Sequence, residues 1–337
     1  MLNHSFAALI IDEAVLPQLK IDVKKFTCVI LIHAKEIYKT REEKARIEDI
    51  LFEQNFDKNS AIVAIGGGLT LDLAGFVAAT FLRGICHYFF PTTLLAMVDA
   101  AFGGKTAVNT PYGKNLIGSY HLPKQVLVDL DVLKTLPSLE WQNGFAEIIK
   151  YALIGQRDLF PLLEDPHINI MSIVELSIHF KQMIVLEDFK DTHTRNILNF
   201  GHTVGHALEL ASNYHIPHGL SVYIGMLVES AFSVEFEKFT PYLWDFARKH
   251  TYPLENYTQF DESLFLKALK RDKKGDHSIT QIVTKSFKKN LNPLTDIQDS
   301  DLLLQLKDVI RLIECKSPFQ SQNLQVSSLY QALNHRP

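Results

Sequence analysis

The chain has 337 residues, of which 47% are hydrophobic and 21% charged, and its formal net charge is -4 at pH 7. This composition is typical of a soluble globular protein and excludes disordered and fibrous classes. Lysine and arginine form no extended basic patch, so we expect neither nucleic acid nor an anionic membrane as a partner. The length favours two domains, with a single large α/β domain as the alternative.

The cysteines and the apolar runs indicate where the protein works. Three cysteines, none in a C-x-x-C pair, argue against a disulfide framework and against a cysteine-based zinc site. No basic segment precedes a long apolar run at the N-terminus, and no stretch reaches the roughly 20 apolar residues that a membrane helix needs. We therefore expect a cytoplasmic protein.

The first part of the chain alternates short β-rich runs with helical periods, which is the pattern of a parallel sheet covered by helices. A charged stretch, Thr40 to Phe56, carries apolar residues at helical spacing and predicts one crossover helix. The predicted strands are Ala8–Ile11, Cys28–Ile32, Ala61–Ile65, His87–Phe90 and Gln125–Asp129.

The pattern changes after Pro137. Ser138 can cap a helix, and from there to about Lys270 apolar residues recur at intervals of three and four with little strand signal. We therefore predict an α/β domain over residues 1–137 and a mostly helical domain over residues 138–337. In the tail we expect a strand at Ile279–Val283 and a helix at Leu302–Ile313.

A run of three glycines, Gly66–Gly68, follows the third predicted strand and precedes a helical stretch. Such a turn lets a pyrophosphate approach backbone amides at a helix N-terminus. The alternative is a tight turn without a ligand, because the spacing is not G-x-G-x-x-G. Asp72, which we place in the first helical turn, either serves the helix dipole or accepts hydrogen bonds from a cofactor.

Cationic side chains follow in the next segment. Lys105 comes directly after Gly103-Gly104, and Lys114 comes directly after Gly113. Ammonium groups and backbone amides presented together suit a polyanion, so we favour ligand binding over a purely structural loop. Arg83, the only arginine in a long apolar stretch, either forms an internal salt bridge or meets an anionic ligand.

A polar series begins at Arg195. Asn199, His202 and His206 follow it at spacings of four, three and four, so all four lie on one stripe if a single helix runs through them. Intervening glycines, at 201 and 205, allow another backbone or a ligand to come close.

Histidines four apart are typical of a zinc-binding helix, but the Glu of H-E-x-x-H is missing, so other ligands must come from elsewhere. His218 and Glu147 are the candidates, the latter within an otherwise apolar helix. Three protein ligands and an open position are typical of a catalytic zinc site. The alternative is that these are separate surface or core residues.

Taken together, these segments resemble the 3-dehydroquinate synthase family in chain order from Asp12 to about Lys274. The stretches that carry this resemblance are Gly66–Gly68 through Asp72 to Thr80, Arg83-Gly84, Pro91–Ala96, Val98-Asp99, Gly103–Thr106, Gly113–Gly118, Ala146–Lys150, Leu198–Thr203, Gly205-His206, His218-Gly219 and Asp272–Lys274.

The resemblance implies a Rossmann-like α/β N-terminal domain followed by a mostly α-helical C-terminal domain. It implies a homodimeric lyase of the shikimate pathway that uses NAD and Zn²⁺, with Co²⁺ as a substitute metal. The implied reaction converts 3-deoxy-D-arabino-heptulosonate 7-phosphate to 3-dehydroquinate and phosphate.

The resemblance also implies roles for individual residues. The implied zinc ligands are Glu147, His202 and His218. The residues implied around the substrate are Asp99, Lys105, Lys150, Lys181, Arg195, Asn199, His206 and Lys273 or Lys274, with Arg83 reaching the phosphate of the neighbouring subunit. The implied NAD-binding residues are Glu36, Lys39, Gly67, Gly68, Asp72, Thr92, Thr93, Lys105, Lys114 and Asn115.

Three departures from the family pattern lie on the nucleotide side: the Leu69-Thr70-Leu71 sequence, Ala14 where an Asn is usual, and a shortened segment before Glu36. Three alternatives stay open: a sugar-phosphate cyclase that makes a cyclitol, a metal-dependent polyol dehydrogenase, and a scaffold without activity. Arg195 and the lysines that could hold a substrate carboxylate favour the synthase.

Overall fold

The structure is a computed structural model, and it describes residues 4, 6–165, 167, 169–232, 239–249, 254, 257–272 and 299–314. The predicted strand Ile279–Val283 and the candidate residues Lys273 and Lys274 lie outside the described residues. The chain divides into two compact units. One comprises Met1–Ala152 and Gln156–Arg195, and the other Leu153–Gly155 and Asn196–Pro337.

A parallel five-stranded sheet forms the centre of the first unit, in the strand order β2-β1-β3-β4-β7. The first four predicted strands are confirmed, but the fifth is much shorter than predicted because the chain turns into a 3₁₀ helix at Leu130–Thr135. The strands are β1 Ala7–Asp12, β2 Cys28–Ile32, β3 Ala61–Gly66, β4 Cys86–Pro91 and β7 Gln125–Val126.

Alternate residues of the central strands face opposite sides of this sheet, as the period of a strand requires. Ala8 and Ile10 of β1 belong to a large apolar cluster on one face, whereas Leu9 and Ile11 belong to a smaller cluster on the other. Both faces are therefore covered, which explains why β1 and β3 read as continuous apolar runs.

Two helices cover the face of the sheet that carries the large apolar cluster. The predicted crossover helix is confirmed as α1, Arg41–Glu53, whose first turn is capped by the Thr40 hydroxyl accepting from Glu43 N at 3.1 Å. Helix α2, Gly68–Thr80, starts just after β3, and eight of its residues are buried. The predicted strand, glycine turn and helix are thus confirmed.

An antiparallel hairpin, which the sequence patterns did not predict, follows β4. Its strands are β5, Lys105–Thr110, and β6, Gly113–Tyr120, and their pairing is irregular between Val108 and Thr110. Glycine is needed at 118, because an added Cβ would lie 2.0 Å from the backbone oxygen of Thr106. The glycines and lysines for which ligand binding was favoured therefore lie in and beside a β-ribbon.

The described residues after Ser138 are mostly helical, as predicted. The helices are α3 Ser138–Ile154, α4 Leu159–Glu164, α5 Ile170–Glu187, α6 His202–Ala211, α7 His218–Ser230, α8 Thr240–Lys249, α9 Glu262–Asp272 and α10 Asp299–Glu314. Helix α10 confirms the helix predicted at Leu302–Ile313. No helix among the described residues is long and apolar enough to cross a membrane.

The single helix from Arg195 to His206, on which the shared polar stripe was conditional, does not form. A 3₁₀ helix covers Thr194–Asn199, and the chain breaks at Gly201, whose φ is +79°, before α6 begins at His202. A side chain at 201 would meet the backbone oxygen of Val222 at 2.7 Å, so α7 packs where the side chain would be. Arg195 and Asn199 therefore do not share a helix with His202 and His206.

Candidate active site

The carboxyl ends of β3 and β4 meet at one edge of the sheet, where parallel α/β folds bind ligands. Thr92 N, just past β4, donates to the backbone oxygen of Gly66 at 3.0 Å. A Cβ at Gly67 would lie 3.1 Å from the Thr93 methyl carbon, and one at Gly68 would lie 3.0 Å from the Ala100 Cβ. The four predicted NAD-binding residues here, Gly67, Gly68, Thr92 and Thr93, thus lie together beside the start of α2.

Thr92 also carries an unsatisfied hydroxyl. Its Oγ1 is buried and has no hydrogen-bond partner among the described residues. Buried hydroxyls in folded proteins are hydrogen-bonded, so an acceptor or donor on a ligand is expected at this edge.

A second group of predicted NAD-binding residues surrounds the Lys39 ammonium, which is 4% exposed. Lys39 Nζ donates to Asp72 Oδ2 and to Asn115 Oδ1, both at 2.6 Å. Lys114 Nζ lies 3.9 Å from Glu36 Oε2. Five residues from three distant segments of sequence thus form one polar network, which we call the Lys39 network: Glu36, Lys39, Asp72, Lys114 and Asn115.

The structure corrects the predicted position of Asp72. The residue lies beyond the first turn of α2, which has no acidic residue, so Asp72 does not serve the helix dipole. Burial raises the pKa of its carboxyl group, and the nearby Lys39 ammonium opposes that rise. Of the two predicted roles, hydrogen bonding to polar partners is the one that this geometry permits.

Buried charges also surround Asp99, which lies in a short π-helix, Ala96–Ala100. Lys181 Nζ donates to the Asp99 carboxylate and to its backbone oxygen, both at 2.6 Å, and the Tyr151 hydroxyl donates to the same carboxylate. Burial alone would raise the pKa of Asp99, but Lys181 and Lys150 outweigh it and lower the pKa.

Helices α3 and α5 present these cations because each places a charged residue in its buried stripe. Lys181 follows the buried residues Ile173 and Ser177 at intervals of four. On α3, Glu147 and Lys150 lie three residues apart, are both buried, and form an ion pair with each other. Buried charges are costly and persist where they are paired or used by a ligand.

Arg195 is almost fully buried, and its Nη1 donates to the backbone oxygens of Gly103 and Phe189, both at 3.0 Å. Its segment is held by the Asp188 carboxylate, which accepts hydrogen bonds from three backbone amides, at residues 192, 193 and 195. Burial alone would raise the Asp188 pKa, but these hydrogen bonds lower it to about 2.

Lys105, at the first position of β5, is half exposed. It forms an ion pair with Asp191, which lies between Asp188 and Arg195 in the chain. Arg83 is exposed, with a left-handed φ of +66°, and no salt bridge to it occurs within the described residues. The internal salt bridge considered for Arg83 is therefore not found there.

Three histidines of the second unit form a cluster. The ring centroids of His202 and His206 are 5.1 Å apart, those of His202 and His218 are 5.4 Å apart, and those of His206 and His218 are 6.0 Å apart. Both α6 and α7 begin with one of these histidines. A buried carboxylate, Glu209, lies 2.6 Å from His218 Nδ1.

The starts of these two helices are fixed to each other. Glu229 of α7, which is fully buried, accepts from Gly201 N at 2.7 Å and from Val204 N at 3.1 Å. A carboxylate at a helix N-terminus interacts favourably with the helix dipole. The glycines at 201 and 205 were predicted to admit either another backbone or a ligand. They admit another backbone, that of α7.

Several polar residues at these sites were missed from sequence: Asn109, Tyr151, Asp188, Asp191, Glu209 and Glu229. Glu209 could have been found, because it lies three residues after His206 on the same helix face. Tyr151 likewise lies four residues after Glu147. Asp188 holds a local turn, through residues 192, 193 and 195. The other three, Asn109, Asp191 and Glu229, depend on contacts between distant segments and carry no local signal.

Known proteins resemble this chain in sequence and in fold. The family model "3-dehydroquinate synthase N-terminal" matches residues 29–143, and "3-dehydroquinate synthase C-terminal" matches residues 144–275. A 3-dehydroquinate synthase of Prochlorococcus marinus is 38% identical over 301 residues, which cover 83% of this chain and 80% of the relative.

Two solved structures share the fold. A 2-epi-5-epi-valiolone synthase from Streptomyces hygroscopicus, with NAD+ and Zn²⁺ bound, has a TM-score of 0.79 at 23% identity and covers 91% of this chain and 92% of its own. A 2-deoxy-scyllo-inosose synthase complexed with carbaglucose-6-phosphate, NAD+ and Co²⁺ has a TM-score of 0.66 at 26% identity, with coverage of 78% and 77%. Because both domain models match and the Prochlorococcus marinus enzyme is similar over most of its length, the chain belongs to the 3-dehydroquinate synthase family.

Proposed function

We propose that this protein is a 3-dehydroquinate synthase, which converts 3-deoxy-D-arabino-heptulosonate 7-phosphate to 3-dehydroquinate and phosphate in the shikimate pathway. Within the structure, the observation that carries this proposal is the set of buried cations in the first unit, Lys150, Lys181 and Arg195. Buried cations suit an anionic substrate, and the heptulosonate has both a carboxylate and a phosphate.

NAD and a divalent metal are proposed as the cofactors. Imidazole and carboxylate groups are donors that zinc prefers, and the clustered histidines of the second unit fit that preference. We propose Glu147, His202 and His218 as the zinc ligands, with Co²⁺ as a substitute metal, which the Co²⁺ of the solved inosose synthase supports. When bound, the metal supplies a Lewis acid and NAD supplies a reversible hydride acceptor.

The proposed NAD site consists of the glycine turn, the two threonines after β4 and the Lys39 network. The turn lets the pyrophosphate approach backbone amides at the start of α2, where the helix dipole favours negative charge. The proposed NAD-binding residues are Glu36, Lys39, Gly67, Gly68, Asp72, Thr92, Thr93, Lys105, Lys114 and Asn115.

The remaining site residues bind and orient the substrate. The lysines and Arg195 neutralise the carboxylate and the phosphate, and Asn199 donates or accepts hydrogen bonds at substrate hydroxyls. Asp99 fixes the Lys181 ammonium, and His206 moves a proton near neutral pH. The proposed substrate-contacting residues are Arg83, Asp99, Lys105, Lys150, Lys181, Arg195, Asn199, His206 and one of Lys273 and Lys274.

The assembly and the division of labour along the chain are also proposals. We propose a homodimer, because the exposed Arg83 matches an arginine that, in the 3-dehydroquinate synthase family, serves the neighbouring subunit's phosphate site. We also propose that the protein works in the cytoplasm. Residues 1–137 would bind NAD, and residues 138–337 would bind metal and substrate.

A turnover assay tests the function. The zinc-loaded full chain, supplied with NAD far below the substrate concentration, should release phosphate from the heptulosonate phosphate and form 3-dehydroquinate. Absence of turnover would overturn the proposal. Turnover of a sugar phosphate that lacks a carboxylate would indicate a cyclitol-forming enzyme, and NADH release equal to product would indicate a polyol dehydrogenase.

A further inference from the structure

Asn109 lies at the irregular point of the hairpin. It falls between Val108, which pairs with Ile117, and Thr110, which pairs with Gly113, so the regular register of β5 and β6 is interrupted at this residue. Such irregularities turn a side chain away from the direction that a regular strand gives it, and they are frequent beside active sites.

Asn109 hydrogen-bonds three of the proposed NAD-binding residues. Its Nδ2 donates to Glu36 Oε1 at 2.6 Å and to the Glu36 backbone oxygen at 3.3 Å. Its Oδ1 accepts from Asn115 N at 3.0 Å. Its own backbone N donates to the Lys39 oxygen at 2.7 Å.

These hydrogen bonds link two segments that are far apart in sequence. The Glu36–Lys39 segment is a 3₁₀ helix with its C-cap, and Asn115 lies in β6 with a left-handed φ of +55°. Asn115 also accepts from the Lys39 ammonium, so Asn109, Lys39 and Asn115 form a closed ring of contacts. The ring fixes the Glu36 carboxylate through its Oε1 atom, while Oε2 lies 3.9 Å from Lys114 Nζ.

We propose that Asn109 is a positioning residue of the nucleotide site. By holding Glu36 and Asn115, it presents the Lys39 network, including the second Glu36 oxygen beside Lys114, to the hydroxyl groups of a dinucleotide. A carboxylate accepts well from vicinal hydroxyls only when it is oriented beforehand, because an unconstrained side chain loses rotamer freedom on binding. This inference rests on the proposed NAD site, and Asn109 itself does not act on the substrate.

The first test measures NAD binding to the zinc-loaded full chain by calorimetry. Asn109→Ala removes the hydrogen bonds of the side chain and keeps the one from the backbone N. We expect NAD to bind roughly 10- to 100-fold more weakly, which is the effect of losing a hydrogen bond to a charged group. Zinc content and the melting temperature without NAD should change little. The control, Asn59→Ala, alters an exposed residue whose hydrogen bonds to other described residues come from its backbone, and it should bind NAD normally.

A reciprocal exchange separates positioning from simple loss of folding. Asn109→Asp sets two carboxylates against each other and should weaken NAD binding at least as much as Asn109→Ala. Combining it with Glu36→Gln restores a donor and acceptor pair, so the loss of NAD affinity in the double variant should be smaller than the losses of the two single variants added together. The KM for NAD should follow these affinities, with smaller changes in kcat.

The outcomes distinguish the two proposals. If the wild-type protein binds no NAD, the proposed cofactor site fails and this inference fails with it. If the wild type binds NAD and Asn109→Ala binds it equally well, only the role of Asn109 is overturned. If Asn109→Ala melts at a much lower temperature, the exchange decides, and additive losses of NAD affinity in the double variant contradict the inference.

Discussion

His218 Nδ1 lies 2.6 Å from Oε1 of Glu209, a carboxylate that is 2% exposed. With its proton on Nδ1, the imidazole donates to Glu209, and Nε2 is then the ring nitrogen with the lone pair that a metal ion requires. Histidine ligands of zinc are commonly oriented by a carboxylate in this way, and loss of that carboxylate typically weakens metal binding 10- to 100-fold.

We therefore expect Glu209→Ala to bind zinc roughly 10- to 100-fold more weakly, measured by competition with a chelator. Glu175→Ala, which removes an exposed carboxylate from α5, serves as the control and should bind zinc normally.

The same experiment tests a different ligand set. Ligand atoms of His206, Glu209 and His218 also lie within 4.8 Å of one another, so these three could hold a metal themselves. Zinc retained in Glu147→Ala but lost from Glu209→Ala would replace the proposed ligands with this set.

A second prediction divides the roles of His202 and His206, which lie four apart on α6. A fourth protein ligand would close the coordination position that a catalytic zinc keeps open. His206→Ala should therefore retain zinc and NAD and lose roughly 100-fold or more in kcat, as expected when a general acid or base is removed. His202→Ala should lose the metal. Equal loss of zinc in both variants, by elemental analysis, would contradict this division.

A third prediction concerns Asp188. Its pKa is lowered from an ordinary 3.8 to about 2, so its carboxylate stabilises the folded state fully above pH 4 and loses that effect as the pH falls towards 2. Asp188→Ala should destabilise the protein by roughly 2–4 kcal/mol at pH 7, because several backbone amides lose their acceptor.

The difference in unfolding free energy between wild type and Asp188→Ala should shrink between pH 4 and pH 3 in urea titrations. Asp158→Ala is the matched control, since Asp158 is exposed and makes no capping bond. A difference that stays constant over this range would show that the charge of Asp188 is not what stabilises its segment.

A fourth prediction concerns His87 of β4. The residue is 1% exposed, its ring is stacked on His121 with centroids 4.8 Å apart, and burial lowers its pKa from 6.5 to about 3. The unfolded chain therefore takes up a proton below pH 6.5 that the folded chain does not, and stability falls as the pH decreases from 6.5 towards 3.

His87→Phe keeps an aromatic ring in this buried position and removes the titrating group. Its melting temperature should fall less than that of the wild type between pH 7 and pH 4.5. His167→Gln, at an exposed histidine, should follow the wild type. Parallel acid profiles for His87→Phe and wild type would refute the assigned cause.

A fifth prediction tests the close approach of α6 and α7. A Cβ at Gly225 would lie 2.0 Å from the Gly201 oxygen, whereas one at Gly205 would lie 3.1 Å from the nearest atoms of Val222. Gly225→Ala should cost roughly 3 kcal/mol or more of unfolding free energy and Gly205→Ala roughly 1–2 kcal/mol, because overpacking against backbone is hard to relieve. Chemical denaturation would give both values, and the reverse order would be inconsistent with this packing.

Local sequence patterns were sufficient for the elements that depend on local chemistry. The β-rich runs before residue 91, the crossover helix within Thr40 to Phe56, and the glycine turn after β3 all follow from propensity and periodicity, which act within a few residues. The identities of the zinc and substrate candidates came from motif resemblance, since the spacing of His202 and His206 alone left several alternatives open.

Tertiary structure decided the features that depend on contacts between distant segments. The break at Gly201 exists because α7 occupies the space of a side chain there, and the hairpin β5-β6 forms because its strands pair with each other despite their glycines. The hydrogen bonds of Asn109 to Glu36 and of Glu229 to Gly201 likewise join residues 73 and 28 positions apart. A sequence window contains no signal for such pairs, because the free energy that selects them arises only when the chain has folded.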